Sequence, residues 1–341
     1  MNVSKQVVCM GIDLGKNNFH IFAVNQAGKE VFRKQRTRSK LLPFLAQQPP
    51  CLIGLEACGG ANYWSREIKK LGHEVNQMAP QFVKPYVKGN KNDYHDAEAI
   101  CEAVSRPGMR FVSCKTIAQQ DLQSLHRVRQ SLVKSRTALS NQIRGLLAEY
   151  GLVISRGLSQ VRKRVPEILE DADNDLSPLF RQLLARQLEF FRELDVQIGE
   201  MSDQIEQVCR QDEASRRLMT IPGLGAQTAT AIVAAYGNAG HYRDARGFAA
   251  SIGLVPRQHS TGGKPTLLGI SKRGDQYIRT LLIHGARAVI THLGDKQDKR
   301  SRWLRHLVER RGVNRAAVAL ANKNARIAWA LLQRGESYQA A

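Results

Sequence analysis

Two short runs decide the fold, MGIDLGK at Met10–Lys16 and CLIGLE at Cys51–Glu56. Each is a compact apolar stretch that carries a carboxylate toward its end, Asp13 in the first and Glu56 in the second, beside small residues. Apolar runs this short, bounded by glycine, read as buried strands rather than helices. Between them NFHIFAVN (18–25), a turn at Ala27, Gly28 and Lys29, and EVFRKQRT (30–37) continue the strand signal, as an antiparallel meander of three strands would. A helical segment near Ser39 to Gln47 precedes CLIGLEA. A helix around Tyr63 to Leu71, a strand HEVNQMA (73–79) and a helix from about Asp93 to Ser105 follow it.

Three hairpin strands followed by βαβ units imply an α/β domain, a mixed sheet with helices on its faces. That order fits a ribonuclease H-like fold, in which the first and fourth strands are neighbours. Asp13 and Glu56 then approach one another at one edge of a cleft. In NKNDYHDAEAI (90–100), Asp93 and Asp96 stand three apart at a helix start, which puts both on one helical face. Four gathered carboxylates repel unless a cation compensates them, and oxygen-only ligands favour Mg²⁺ or Mn²⁺ over zinc. Two such ions about 4 Å apart activate a nucleophile and stabilise the leaving oxygen in an in-line phosphoryl transfer. Taken singly, Asp93 reads equally well as a helix cap, Asp13 as a turn residue and Glu56 as a solvated strand end. Glu98 and Glu102 read as plain surface carboxylates. A competing reading of GIDLGK is the phosphate-binding turn of sugar kinases and actin-like ATPases, which need further Gly-rich nucleotide loops that are not found in this sequence.

From Thr116 to Tyr150 apolar residues recur at helical spacing (Leu122, Leu125, Val128, Leu132, Leu139, Ile143), and a second amphipathic stretch runs from Leu176 to Val208. With Pro166 and the acidic turn EDADND (170–175) between them, they read as an antiparallel coiled hairpin, a spacer or dimerisation arm. From about Ser215 the chain reads as short helices and Gly-rich turns. MTIPGLGAQTATAIVAAYG (219–237) resembles a helix-hairpin-helix, whose backbone amides bind a phosphate without reading bases. Downstream, Ser260, Thr261, Gly262 and Gly263 form a flexible polar turn between Arg257 and Lys264. A hydroxyl there can attack phosphorus if a base or metal activates it. His259 adjoins Ser260, but sequence neighbours usually point apart, so it is not assigned as that base. Lys272, Arg273 and Arg279 read as contacts to backbone phosphates.

The charge balance agrees. The 341 residues carry 51 Lys and Arg against 30 Asp and Glu, a net +21, and the segment from Arg257 to Ala341 holds 17 against 5. Such an excess favours a polyanion, since neutralising each phosphate releases condensed counterions. Nucleic acid is the first candidate and an anionic membrane the second. A hydrophobic share of 43% excludes wholesale disorder. No uncharged apolar run long enough to span a bilayer and no leader cleavage site are seen, so the chain reads as soluble and unexported. The six cysteines form no CxxC or CxxH pair, which argues for reduced thiols in a cytoplasm rather than a zinc or redox site.

Taken together, GIDLGK with its downstream acids, GLVPRQHSTGGK (253–264) and LGISKRGDQYIRTLLIHGAR (268–287) resemble the DEDD transposases of the insertion sequence 110 family, the last two strings its 1111 subgroup. The resemblance covers nearly the whole chain and implies a RuvC-like catalytic domain at 1–115, a helical coiled-coil arm at 116–212 and a mostly helical C-terminal transposase domain at 213–341. Carried over by position, it makes Asp13, Glu56, Asp93 and Asp96 the metal ligands and Ser260 the catalytic serine, with Thr261 beside it and Ser251 a poorer candidate. It further implies donor and target DNA, a structured non-coding guide RNA that pairs with both, and a dimer or tetramer in which serine from one subunit completes the acidic site of another. A covalent phosphoserine link to a DNA end and a bacterial, nucleoid-associated setting belong to the same expectation. Alternatives left open are a hydrolytic junction resolvase, a site-specific invertase and a non-catalytic nucleic-acid scaffold.

Overall fold

Successive strand residues point to opposite faces. In strand β1 (Cys9–Leu14) this sends Met10 and Ile12 one way and Cys9, Gly11 and Asp13 the other. The computed structural model describes residues 6–90 and 92–339; the sequence reading that the first five residues begin no leader lies outside them. β1 pairs antiparallel with β2 (Asn18–Val24), which pairs antiparallel with β3 (Glu30–Thr37). On its other side β1 pairs parallel with β4 (Leu52–Glu56), β4 with β5 (Glu74–Met78), and β5 antiparallel with the two-residue β6 (Phe111–Val112). The order β3-β2-β1-β4-β5-β6 is a mixed six-stranded sheet, with the first and fourth strands adjacent as expected.

The two faces bury different sets. Met10, Ile12, Phe19, Ile21, Ile53 and Leu55 pack under α1 (Leu41–Ala46) and α2 (Ala61–Lys70) through Leu41, Leu45, Trp64 and Ile68. Cys9, Phe22 and Met78 pack under α4 (Asp93–Val104) through Ala97, Ile100, Cys101 and Val104, with the short α3 (Pro80–Val83) beside it. The helix expected from Ser39 begins at Leu41, after a 3-10 turn over Arg38–Lys40.

The described residues fall into two compact units, one reaching to Ile117 together with Gly240–Arg243, the other Ala118–Ala239 with the chain from Asp244 onward. In the second, α5 (Ile117–Ala148) and α7 (Pro178–Gln211) are the two long helices read from the sequence, but a third, α6 (Leu158–Glu170), lies between them. Pro166 sits inside α6 rather than ending a segment, and Val161, Val165 and Ile168 join Leu139, Ile143, Leu184, Leu188 and Phe191 in one core. Asp195 of α7 ties this bundle through Arg136 and Arg162, each at 2.6 Å. The region from Ser215 is not made only of short helices. After α8 (Glu213–Met219), α9 (Ala226–Tyr236) and α10 (Ala245–Ser251) come α11 (Gln276–Thr291), α12 (Lys299–Arg311) and the 22-residue α13 (Val313–Arg334), whose small residues Ala316, Ala317, Ala321, Ala325 and Ala328 are buried.

A buried polar chain links α5, α9 and α11. Thr230 donates to the carbonyl of Ala226 at 2.6 Å, so its oxygen accepts from Nε2 of His126 at 3.0 Å, and Nδ1 of His126 accepts from the Tyr277 hydroxyl at 3.1 Å. These bonds assign the neutral Nε2-H tautomer. Burial and the nearby Arg129 push the His126 pKa down to about 4. No described helix is long and apolar enough to cross a membrane.

Candidate active site

Parallel register sets Ile12 of β1 beside Leu55 of β4, so the next residues, Asp13 and Glu56, end adjacent strands. Both lie on the face that α4 covers, since Gly11 and Gly54 alternate with them on that face. Those glycines are the contact points of the helix. A Cβ built on Gly11 would sit 2.1 Å from the Ala97 carbonyl oxygen and 2.3 Å from the Cys101 amide, and one on Gly54 2.8 Å from the Val104 side chain. Only glycine admits α4 at this distance. The helix therefore lies against the two strands with its first turn, Asp93 and Asp96, at the end that carries Asp13.

Asn92 caps that turn, its side chain accepting from the Tyr94 amide at 3.0 Å, so Asp93 is not the cap. Asp93 instead stands 3.7 Å from Nδ1 of His20, the residue opposite Asp13 on β2. His20 was missed in the sequence because nothing before the meander register is known pairs it with an acid. Burial raises the pKa of Asp13, and the charges of Asp96 and Asp93 raise it further while His20 opposes them. Burial also raises that of Glu56, with Asp13 and Asp96 adding to it. The four acids thus share one electrostatic environment, although among the described residues no three acidic, histidine or cysteine side chains converge closely enough to hold an ion as placed. The donor set fits a hard divalent cation in type and charge: oxygen only, and strongly negative when ionised. Glu98 and Glu102 are spent elsewhere, Glu98 on Arg33 and Lys88, Glu102 on Lys88 and Arg106.

Ser260 is in the second unit. It is not in a loose turn but in strand β7 (Pro256–Thr261), which pairs with β8 (Lys264–Ile270) in an exposed hairpin. Gly262 and Gly263 close it with φ of +57° and +75°, both in the left-handed region that a tight two-residue turn demands. The Ser260 hydroxyl accepts from Gln258 Nε2 at 2.7 Å. His259 points to the opposite side of the strand. Arg257, Lys264, Lys272 and Arg273 are exposed. Arg279 is not available in the way expected: it is 8% exposed, and its Nη1 donates to the carbonyls of Ile252 and Arg273 at 2.9 and 3.1 Å. Its guanidinium holds the 252–273 loop, so it is withdrawn from the phosphate contacts.

Residues 10–152 match a family model described as a transposase, of the DEDD type named for IS110, and residues 215–303 match the model of the transposase IS116/IS110/IS902 family. The chain is similar over 99% of both lengths, at 49% identity, to a probable family 20 transposase of Pseudomonas aeruginosa. It is 46% identical to the transposase for insertion sequence element IS1111A of Coxiella burnetii, over 98% of this chain and 92% of that one. Against the transposase for insertion sequence element IS1328 of Yersinia enterocolitica the identity is 44%, over 96% and 98%.

Proposed function

The chain belongs to the IS116/IS110/IS902 family of insertion-sequence transposases, and on that premise we propose that it exchanges DNA strands with a Mg²⁺- or Mn²⁺-dependent acidic site and a serine nucleophile. Membership carries the coarser activity, cleavage and transfer of DNA strands. The observation that carries the finer reading is the shared field of Asp13, Glu56, Asp93 and Asp96 at the adjacent ends of β1, β4 and α4. Asp13 and Glu56 are half-buried, and ionising them beside Asp93 and Asp96 costs free energy that a divalent cation offsets. When bound, the ion supplies charge neutralisation at phosphorus and lowers the pKa of an attacking hydroxyl.

Ser260 is the group we assign to the attack. Its Oγ gives up its proton and forms a bond to phosphorus as the bond from phosphorus to a sugar oxygen breaks, and the departing sugar oxygen takes up a proton in return. A second sugar hydroxyl then reverses the exchange, releasing serine and rejoining DNA without an external energy source. Serine activation falls to the acidic site of another subunit, because His259 points away from Ser260. The exposed Arg257, Lys264, Lys272 and Arg273 flank the hairpin and suit backbone phosphates. The turn between α8 and α9 suits a phosphate in the manner of a helix-hairpin-helix, and the α5 to α7 bundle suits self-association into a dimer or tetramer. Sequence choice is assigned to a non-coding guide RNA, with the protein's basic surface holding backbones while base pairing selects sites.

The test is a denaturing gel of protein incubated with end-labelled element DNA, the element's non-coding RNA and Mg²⁺. Wild type is expected to give a labelled covalent adduct that Ser260→Ala and Asp13→Asn both lose. Strand cleavage that survives Ser260→Ala without an adduct would replace the serine reading with a hydrolytic one.

A further inference from the structure

β3 is the outer strand of the six-stranded sheet, and one of its faces is a row of cations. Phe32, Lys34 and Arg36 stand opposite Ala23, Ile21 and Phe19 of β2 and so share the α1 and α2 face. Gln35 stands opposite His20, on the face of the acidic site. Lys34 Nζ lies 4.9 Å from the Phe32 ring centre and 5.2 Å from that of Phe44, Arg36 Cζ lies 4.5 Å from Phe44, and Arg38 Cζ lies 5.1 Å from Trp64. Lys40 follows at the end of the 3-10 turn.

None of these four cations has a carboxylate partner among the described residues, whereas Arg33, on the other face, pairs with both Glu30 and Glu98 at 3.3 Å. Lys34 and Arg36 are held over one ring, where like charges repel with no acid to offset them. A polyanion removes that penalty. Alternate residues on a strand stand about 6.7 Å apart, comparable with the step between successive phosphates of one nucleic-acid strand.

The aromatic groups identify the kind of nucleic acid. Trp64 and Phe44 are 4% and 8% exposed, with cations over their faces, so they offer no platform on which unpaired bases stack. What remains is contact with a backbone whose bases are turned inward. We propose that Lys34, Arg36, Arg38 and Lys40 form a docking strip for the phosphate backbone of duplex DNA away from the bond being cut. DNA is the committed occupant because DNA is the family's substrate, and Lys34 and Arg36 stand on the sheet face opposite Asp13, so the phosphates they hold are not those at the acidic site. This inference rests on family membership and on neither the metal nor the serine reading.

The test uses the full chain in EDTA, with a fluorescein-labelled DNA duplex of arbitrary sequence and an RNA hairpin as separate probes. The dependence of log Kd on log salt is measured for wild type and for K34M/R36Q/R38Q/K40Q, which keeps the stems over the rings. Each lost phosphate contact lowers the slope by about 0.9, so the quadruple variant is expected to lose about 3 to 4 on DNA, with affinity at low salt falling on the order of tenfold or more. R36K/R38K, which keeps charge, is expected to retain the slope, and thermal melting monitors folding of both variants. An unchanged DNA slope, a loss confined to the RNA hairpin, or a variant whose only defect is aggregation through the freed sheet edge would each overturn the proposal.

Discussion

Replacing Gly11 with alanine tests how the acids are brought together. Its Cβ would stand 2.1 Å from the Ala97 carbonyl oxygen, 2.3 Å from the Cys101 amide nitrogen and 2.9 Å from Cys101 Cα, all backbone atoms of α4 that no rotamer change can move. Atoms pack at about 3.5 Å or more, so the helix must retreat by about 1 Å or tilt about its C-terminal half. Overpacking of this kind costs about 1 to 3 kcal/mol, read as a lower urea midpoint with an unchanged slope. Retreat also carries Asp93 and Asp96 away from Asp13 and Glu56. A misplacement of about 1 Å in a catalytic constellation costs on the order of a hundredfold in rate, so single-turnover strand cleavage should fall far more than stability under conditions where the variant is fully folded. Gly145→Ala is the control: Gly145 lies within α5 with nothing within 4 Å of its Cβ position, and the change should stabilise by about 1 kcal/mol without touching cleavage. If Gly11→Ala unfolds at the wild-type midpoint and cleaves at the wild-type rate, α4 does not seat on β1 as described, and the derivation of the site from that seat fails.

Two further outcomes follow from local geometry. His126, lowered in the folded state to about 4 against an ordinary value near 6.5, is neutral when folded, so the unfolded chain takes up the proton first and stability falls as pH drops from about 6.5 toward 4. The slope attributable to His126 approaches about 1.4 kcal/mol per pH unit, and His126→Gln should flatten it in urea melts across that window; an identical pH profile would mean that His126 is solvated. In the β7–β8 turn, Gly263 at φ +75° should refuse valine, with Gly263→Val costing about 1 kcal/mol or more locally and depressing adduct formation, while Gly262→Asn, which tolerates positive φ, should preserve both. Equal adduct yield from all three proteins would show that the hairpin does not position Ser260.

How much of this was legible in the sequence depends on which signals are local. The succession of β1 to β5 followed from short apolar runs and one turn, because buried strands advertise themselves by composition, while the adjacency of Asp13 and Glu56 came only with the ribonuclease H-like order that this succession fits. The Asp93 and Asp96 pair followed from helical spacing. What the sequence did not disclose is how closely α4 approaches, since Gly11 and Gly54 look like any small residues until a helix lies over them. Helix α6 is written in Val161, Val165 and Ile168, which keep helical spacing, but Pro166 masks it, because proline reads as a helix break although the fold accommodates it here. The Ser260 hairpin gave no alternation because both strands are exposed, so only the Gly-Gly pair marked it. Arg279 misled because a buried guanidinium bonded to carbonyls has the same local sequence as a free one.

The most direct measurement of the central claim is Mn²⁺ binding to the full chain, followed by loss of the free-ion electron paramagnetic resonance signal. Wild type and Glu98→Gln, whose carboxylate already serves Arg33 and Lys88, should bind alike, while Asp13→Asn and Glu56→Gln should each weaken binding by tenfold or more, the range seen when a carboxylate ligand or its support is removed. Equal Mn²⁺ binding by wild type and Asp13→Asn, with both proteins folded, would contradict it.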